Sequence, residues 1–138
     1  MQRTVFALVL LFGTLAAGFA QPQRDRDPWD YRNGENRWDD SWNRRPYPQA
    51  GACFFSDRDF GGNRFCVRRG DRLSRLPSNF GDNISSIRLY GGARVVVFND
   101  RDFSGGSQQF KSSVPDLRNR RFRDGHTWNN RISSVVVR

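Results

Sequence analysis

Phe55-Ser56-Asp57-Arg58-Asp59-Phe60-Gly61-Gly62 recurs 43 residues later as Phe98-Asn99-Asp100-Arg101-Asp102-Phe103-Ser104-Gly105, and both copies read aromatic-x-Asp-Arg-Asp-Phe-x-Gly. An internal repeat sets the architecture before any single residue is weighed. Further along, Asn83-Ile84-Ser85-Ser86-Ile87 is matched by Arg131-Ile132-Ser133-Ser134-Val135 at an offset of 48, so the second copy carries five extra residues, which we place in the loop at residues 118–125. Two copies are too few for a solenoid and suit a pseudo-symmetric pair that shares one core.

Around these landmarks the chain reads as strand and turn. Residues 52–55, 86–90, 95–98 and 133–137 are short, β-branched or aromatic, and bounded by turn residues, the pattern of strands. Ile87 and Leu89 alternate with Ser86 and Arg88, as on a strand with one buried face, and Val135 and Val137 repeat the pattern. Gly91-Gly92 links the halves, and no stretch sustains a helical period. Residues 73–76, ahead of Pro77, and residues 114–117 each predict one short helical turn at the same place in their copy. The expected fold class is all-β: four strands per copy, each copy a Greek key, the two forming a β-sandwich over residues 51–138 with repeats 51–91 and 92–138.

The N-terminal third differs. Residues 1–20 have a basic start at Arg3, an apolar run and the small-x-small end Gly18-Phe19-Ala20, the pattern of a secretory signal peptide. The run is short for a membrane span, which takes roughly 20 apolar residues. Residues 21–50 balance six Arg against five Asp and one Glu with almost no aliphatic side chains, which predicts a disordered arm. Trp29, Trp38 and Trp42 lie in it; they are read as part of the unstructured arm, or as stacking on glycans, the domain or a partner. The expected location is secreted or periplasmic. In that oxidising setting Cys53 and Cys66 point to a disulfide, with free buried thiols as the alternative. A hairpin that sets Phe54 opposite Phe65 also sets Cys53 opposite Cys66, and a loop this short gains roughly 3 kcal/mol from the cross-link.

The residues that carry the repeat resemble the βγ-crystallin family. Its hairpin motif, aromatic-x4-aromatic-x-Gly, is met by Phe55, Phe60 and Gly62 and again by Phe98, Phe103 and Gly105. Glycine permits a positive-φ turn, and the two rings can clasp across the bend. The family's conserved serine is matched by Ser86 and Ser134, which the resemblance implies tie each hairpin back by a hydrogen bond. Microbial members carry a Ca²⁺ signature, Asn/Asp-Asn/Asp-x-x-Ser/Thr-Ser. Residues 129–134, Asn129-Asn130-Arg131-Ile132-Ser133-Ser134, match it in full; Gly81-Asp82-Asn83-Ile84-Ser85-Ser86 departs at Gly81.

The resemblance implies that each ion is shared between one copy's signature and the other's hairpin: Asp82 and Ser85 with Asn99, Asn130 and Ser133 with Ser56. Ca²⁺ takes six to eight oxygens, and so few carboxylates imply weak affinity, Kd ~10⁻⁴ to 10⁻³ M. The alternative is that these Asn, Asp and Ser residues only build turns.

Residues 51–138 hold 15 Arg and one Lys against eight Asp, and the whole chain carries a formal charge of +9. The charge suits acidic partners, with Arg118, Arg120, Arg121 and Arg123 the densest patch. Catalysis finds no constellation: His126 is the one histidine, too few for zinc, and it has no triad partners. The Asp57/Asp59 and Asp100/Asp102 pairs each flank an arginine and read as surface ion pairs. The sequence therefore predicts a monomeric, non-enzymatic, Ca²⁺-binding structural or interaction module. The alternatives are a secreted protease inhibitor or antimicrobial toxin, and a binder of acidic surface polymers, without specific nucleic-acid recognition.

Overall fold

The computed structural model describes residues 40–78 and 80–138. The expected signal peptide, the arm up to residue 39, and Trp29 and Trp38 lie outside the described residues. Among the described residues seven strands run in chain order: β1 Gly51–Phe55, β2 Arg64–Arg68, β3 Arg72–Leu73, β4 Ser86–Tyr90, β5 Val95–Phe98, β6 Ser107–Phe110 and β7 Ser134–Val137. They form two antiparallel sheets, β2-β1-β4 and β3-β7-β5-β6.

The halves exchange a strand. β1 and β2 form a hairpin, the chain crosses to the other sheet as β3, and β4 returns beside β1. There Leu73 of β3 pairs with Val135 of β7. The second half answers with one bridge, Val114 to Ile87, closed by bonds from Ile87 N–H to Val114 O at 2.9 Å and from Val114 N–H to Ile87 O at 2.8 Å. The helical turn expected over residues 73–76 is therefore absent, because Leu73 is drawn into pairing with the other half. The second expected turn begins only at Leu117, as a short 3-10 turn Leu117–Asn119, since Val114 is taken by its bridge.

The core fills the space between the sheets. Phe54 and Phe65 stack at 4.8 Å, Phe80 meets Phe65 edge-on at 4.8 Å, and Val95, Val97, Val135, Val137, Ile87, Leu117 and Trp128 complete the layer. β1 is buried along its whole length, so it lacks the alternation of a half-buried strand. Its other face carries a smaller cluster of Cys53, Phe55 and Cys66, with Phe60 and Tyr90 packed against it. In the β1–β2 register Phe54 lies opposite Phe65 on the core face and Cys53 opposite Cys66 on the other, and the two cysteines form a disulfide.

The ordered fold begins before Gly51. An α-helical turn, Ser41–Arg44, puts Trp42 at 4 % exposure in the main core, edge-on to Phe65 at 6.2 Å. Arg64 of the outer strand β2, itself buried, donates from Nη2 to the carbonyls of Asn43 at 2.9 Å and Arg45 at 2.6 Å, and its N–H reaches Asn43 Oδ1 at 2.9 Å. Arg45 lies 3.7 Å from the centroid of the Trp42 ring, and Tyr47 packs against Tyr90 with centroids 5.4 Å apart and planes tilted by 31°. The expectation of an unstructured arm through residue 50 does not hold for residues 40–50. Composition counts aliphatic side chains and misses how much area one tryptophan buries. This segment also covers the open edge of β2, where a bare edge would offer unpaired backbone groups.

A candidate cation cleft beside the first hairpin

Each hairpin closes by the same bonds. Ser56 N–H donates to Asn63 O at 2.9 Å and Asp57 N–H to Gly61 O at 3.1 Å; Asn99 N–H donates to Gly106 O at 3.0 Å and Asp100 N–H to Ser104 O at 3.3 Å. The Ser56 hydroxyl accepts from Asn63 N–H at 3.0 Å, and Asn99 Oδ1 accepts from Gly106 N–H at 2.7 Å. The side chains of Ser56 and Asn99, both expected as ion ligands, thus close their own hairpins. Gly62 and Gly105 hold φ of +74° and +75°, and a Cβ on either would strike the side chain of Ser56 or Asn99 and the following aspartate. Phe55 meets Phe60, and Phe98 meets Phe103, each pair at 5.8 Å and edge-on. Ser86 and Ser134, both fully buried, tie the bends to the last strand of each half. Each hydroxyl accepts from a phenylalanine N–H at 3.0 Å and donates to an aspartate carbonyl at 2.6 Å, Phe60 and Asp57 for Ser86, Phe103 and Asp100 for Ser134.

The two signature loops run past each other. Asn130 N–H donates to Ile84 O at 2.9 Å and Asp82 N–H to Ile132 O at 3.4 Å, with Asp82 and Asn130 both at φ 57°. Ser85 N–H donates to Phe55 O, and Ser133 N–H to Phe98 O, each at 2.9 Å, so each serine lies on the hairpin of its own half. The start of the opposite loop faces it. Ser56, Ser85 and Asn129 line one cleft together with Asp57, Arg58, Asp59 and Arg118, while the Ser133 hydroxyl donates to Asp82 Oδ1 at 3.3 Å. The expected groupings are thus recombined. Ser85 goes with Asn129 and Ser56 rather than with Asp82 and Asn99, and Ser133 goes with Asp82 rather than with Ser56. The reason is the antiparallel crossing, which splits each signature between two places. Gly81 is exposed with open space around it, and Asn130 is exposed while its backbone is spent on Ile84.

Asn129 is one of the residues lining the first cleft, and its Oδ1 is buried and accepts no hydrogen bond. An unpaired buried carbonyl oxygen is costly, and a hard cation is one partner that removes the cost. The donors are amide and hydroxyl oxygens, which suit Ca²⁺ and not zinc. Among the described residues no group of three or more His, Cys, Asp or Glu is placed to hold a metal; the cleft offers two carboxylates, Asp57 and Asp59, beside its neutral oxygens. The residues fit a weakly held hard cation.

The loop after the 3-10 turn is a small ordered hairpin. Arg121 bridges Thr127, Phe122 N–H bonds to His126 O, Gly125 N–H donates to Phe122 O at 3.0 Å, and Trp128 N–H donates to Arg120 O at 2.9 Å. Phe122 packs edge-on to Trp128 at 5.1 Å and covers Gly106, where a Cβ would meet its ring. The arginine patch is partly used up within the fold. Arg118 pairs with Asp116 at 2.8 Å, holding that carboxyl down to about 2 through its side-chain hydrogen bonds. Arg121 donates to Gly125 O at 3.1 Å. Asp124 is also lowered, first by the His126 N–H and then by Arg131. Arg120 and Arg123 stay exposed. Arg58 was not legible as a site residue, and Arg118 was legible only as part of the arginine patch; the fold puts both in the cleft beside Asn129.

Comparison with known proteins agrees with this fold. A model of the peptidase inhibitor family I36 matches residues 43–110. The βγ-crystallin domain from Flavobacterium johnsoniae is 28% identical with a TM-score of 0.52, covering 63% of this chain and 92% of that one. The βγ-crystallin from Ciona intestinalis is 27% identical with a TM-score of 0.51, covering 64% and 99%. A βγ-crystallin domain from Clostridium beijerinckii, at 21% identity and a TM-score of 0.51 over 63% and 95%, shares the fold. No curated protein matches the sequence. The chain carries a domain of the βγ-crystallin fold.

Proposed function

We propose that this βγ-crystallin-like domain is a non-enzymatic binding module that works outside the cytoplasm and holds Ca²⁺ weakly in the cleft of Ser85 and Asn129. The observation that carries the reading is the buried Asn129 Oδ1 with no hydrogen-bond partner, on a residue that lines a cleft together with Ser56, Ser85, Asp57 and Asp59. Arg58 and Arg118 in the same wall oppose a cation and keep the affinity in the weak range of extracellular modules, Kd ~10⁻⁴ to 10⁻³ M. An ion bound only by the native state raises stability by mass action. Calorimetric titration of the full chain with CaCl₂, alongside thermal melting, tests this. Heat of binding and a raised Tm are expected, both lost in Asn129→Leu; neither signal at several millimolar Ca²⁺ ends the reading.

A second reading, peptidase inhibition, is supported by the match of residues 43–110 to the inhibitor family. The ordered and exposed hairpin around Phe122–Gly125 supplies the rigid loop an inhibitor needs. Progress curves with representative metallo- and serine peptidases, with and without residues 121–126, test it; no slowing by the intact chain rejects it.

A further inference from the structure

We propose that the cleft takes its cation together with a carboxylate-bearing polysaccharide, with Arg58 and Arg118 receiving the polymer's carboxylates. The inference rests on the Ca²⁺ reading above and names the partner of that site. Charge is the first reason. The wall sets Asp57 and Asp59 against Arg58 and Arg118, so its formal charges cancel. A divalent ion added there keeps its charge uncompensated in a chain already at +9. A ligand carboxylate supplies what the wall lacks: it is a preferred oxygen donor for Ca²⁺ and a fork-matched partner for guanidinium. Arg118 meets Asp116 through Nε and Nη2, which leaves Nη1 outside that pair, and its side chain is half exposed.

Continuity is the second reason, and it selects a polymer. Arg120 and Arg123 follow Arg118 along the ordered hairpin, exposed and without an ion pair among the described residues. Because Phe122 and Trp128 already anchor that hairpin, a ligand docking on it meets a surface whose ordering cost is spent. Other macromolecules fit less well. Single-stranded nucleic acid needs exposed aromatic platforms. The rings of Phe122 and Trp128 are spent edge-on against each other, and among the described residues the exposed large hydrophobic side chain is Tyr47, packed against Tyr90. A protein partner needs an apolar centre to its interface, and the side chains lining this cleft are all polar or charged.

The test is calorimetric titration of the full chain with trigalacturonic acid, with and without about 5 mM Ca²⁺, a concentration above the expected Kd, at matched ionic strength. Ca²⁺ should tighten the trisaccharide by about fivefold or more, the low end of ordinary coupling between ligands. The double variant R58Q/R118Q should lose the trisaccharide while binding Ca²⁺ as tightly or more tightly, since two positive charges have left the wall. Ca²⁺ heat without any change in trisaccharide affinity overturns this inference and leaves the Ca²⁺ reading standing. No Ca²⁺ heat at all overturns both. Equal Ca²⁺-dependent tightening of a short single-stranded DNA, or of the trisaccharide on R58Q/R118Q, also overturns it.

Discussion

The Ser86 hydroxyl holds Phe60 in a left-handed bend: Oγ accepts from the Phe60 N–H at 3.0 Å, and Phe60 sits at φ 60°. Ser134 does the same for Phe103, at 3.0 Å and φ 58°. A bulky residue in that region is strained unless its surroundings compel it. Here the compulsion is one buried hydroxyl per half, which also donates to the carbonyl three residues earlier.

Ser86→Ala should therefore cost about 2 kcal/mol, since it leaves an N–H and a carbonyl without their partner. Ser134→Ala should cost nearly the same, because the two sites share their geometry. Urea denaturation of both variants checks this; a loss below about 0.5 kcal/mol, the size of an ordinary surface change, means the hydroxyls do not hold the bends.

Gly62→Ala and Gly105→Ala should each destabilise by about 1–3 kcal/mol through forced positive φ, with the added methyl also displacing Ser56 or Asn99. Because those side chains close the hairpins, the aromatic clasp should loosen too. Thermal melts read the first effect, and proton shifts of Phe60 and Phe103 the second. Unchanged ring shifts in both variants would show that the glycine and the clasp are uncoupled.

Trp42→Ala should cost about 3 kcal/mol or more, as for other large aromatic side chains removed from a core. A chain starting at Gly51 should lose at least as much against one starting at Asp40, since it also removes two carbonyl acceptors of the Arg64 guanidinium. Arg64→Lys should recover little, because an ammonium cannot reproduce the planar fork. Equal stability of the two truncated chains would remove residues 40–50 from the fold.

Asp116 should titrate near 2, with the Arg118 side-chain hydrogen bonds as the leading cause. Its folded pKa lies below the ordinary aspartate value of 3.8, so its contribution to stability is present above that value and fades as the pH falls through the folded one. The Asp116 side chain is 17 % exposed, and the titration itself is the measurement. In Arg118→Gln the Asp116 carboxyl carbon should titrate back toward 3.8 by NMR; an unmoved midpoint contradicts the assigned cause.

Reducing the Cys53–Cys66 disulfide should lower stability by roughly 3 kcal/mol, the chain-entropy value for so short a loop. The sulfurs are buried under Phe55 and Phe60, so reduction in the native state should be slow and should quicken in mild denaturant. Denaturant-independent reduction would mean the cover is open.

Much of this fold is written locally. The spacing Phe55, Phe60, Gly62 and its copy Phe98, Phe103, Gly105 specifies a bend, a clasp and a positive-φ turn within a few residues, so the sequence alone carried those features, the strand at residues 86–90 and the facing of Cys53 by Cys66. What the tertiary structure decided is long-range. Leu73 and Val114 look like helical turns until each meets the other half's last strand, and Trp42 looks like part of a polar arm until Arg64 and Phe65 receive it. Asn129 joins Ser85 rather than Ser133 because two loops cross in opposite directions. A short window holds backbone preference and hydrophobic period. It holds nothing about which distant segment completes a sheet edge, fills a core gap or lends an oxygen to a cleft, because those choices are made by packing between parts of the chain that only the fold brings together.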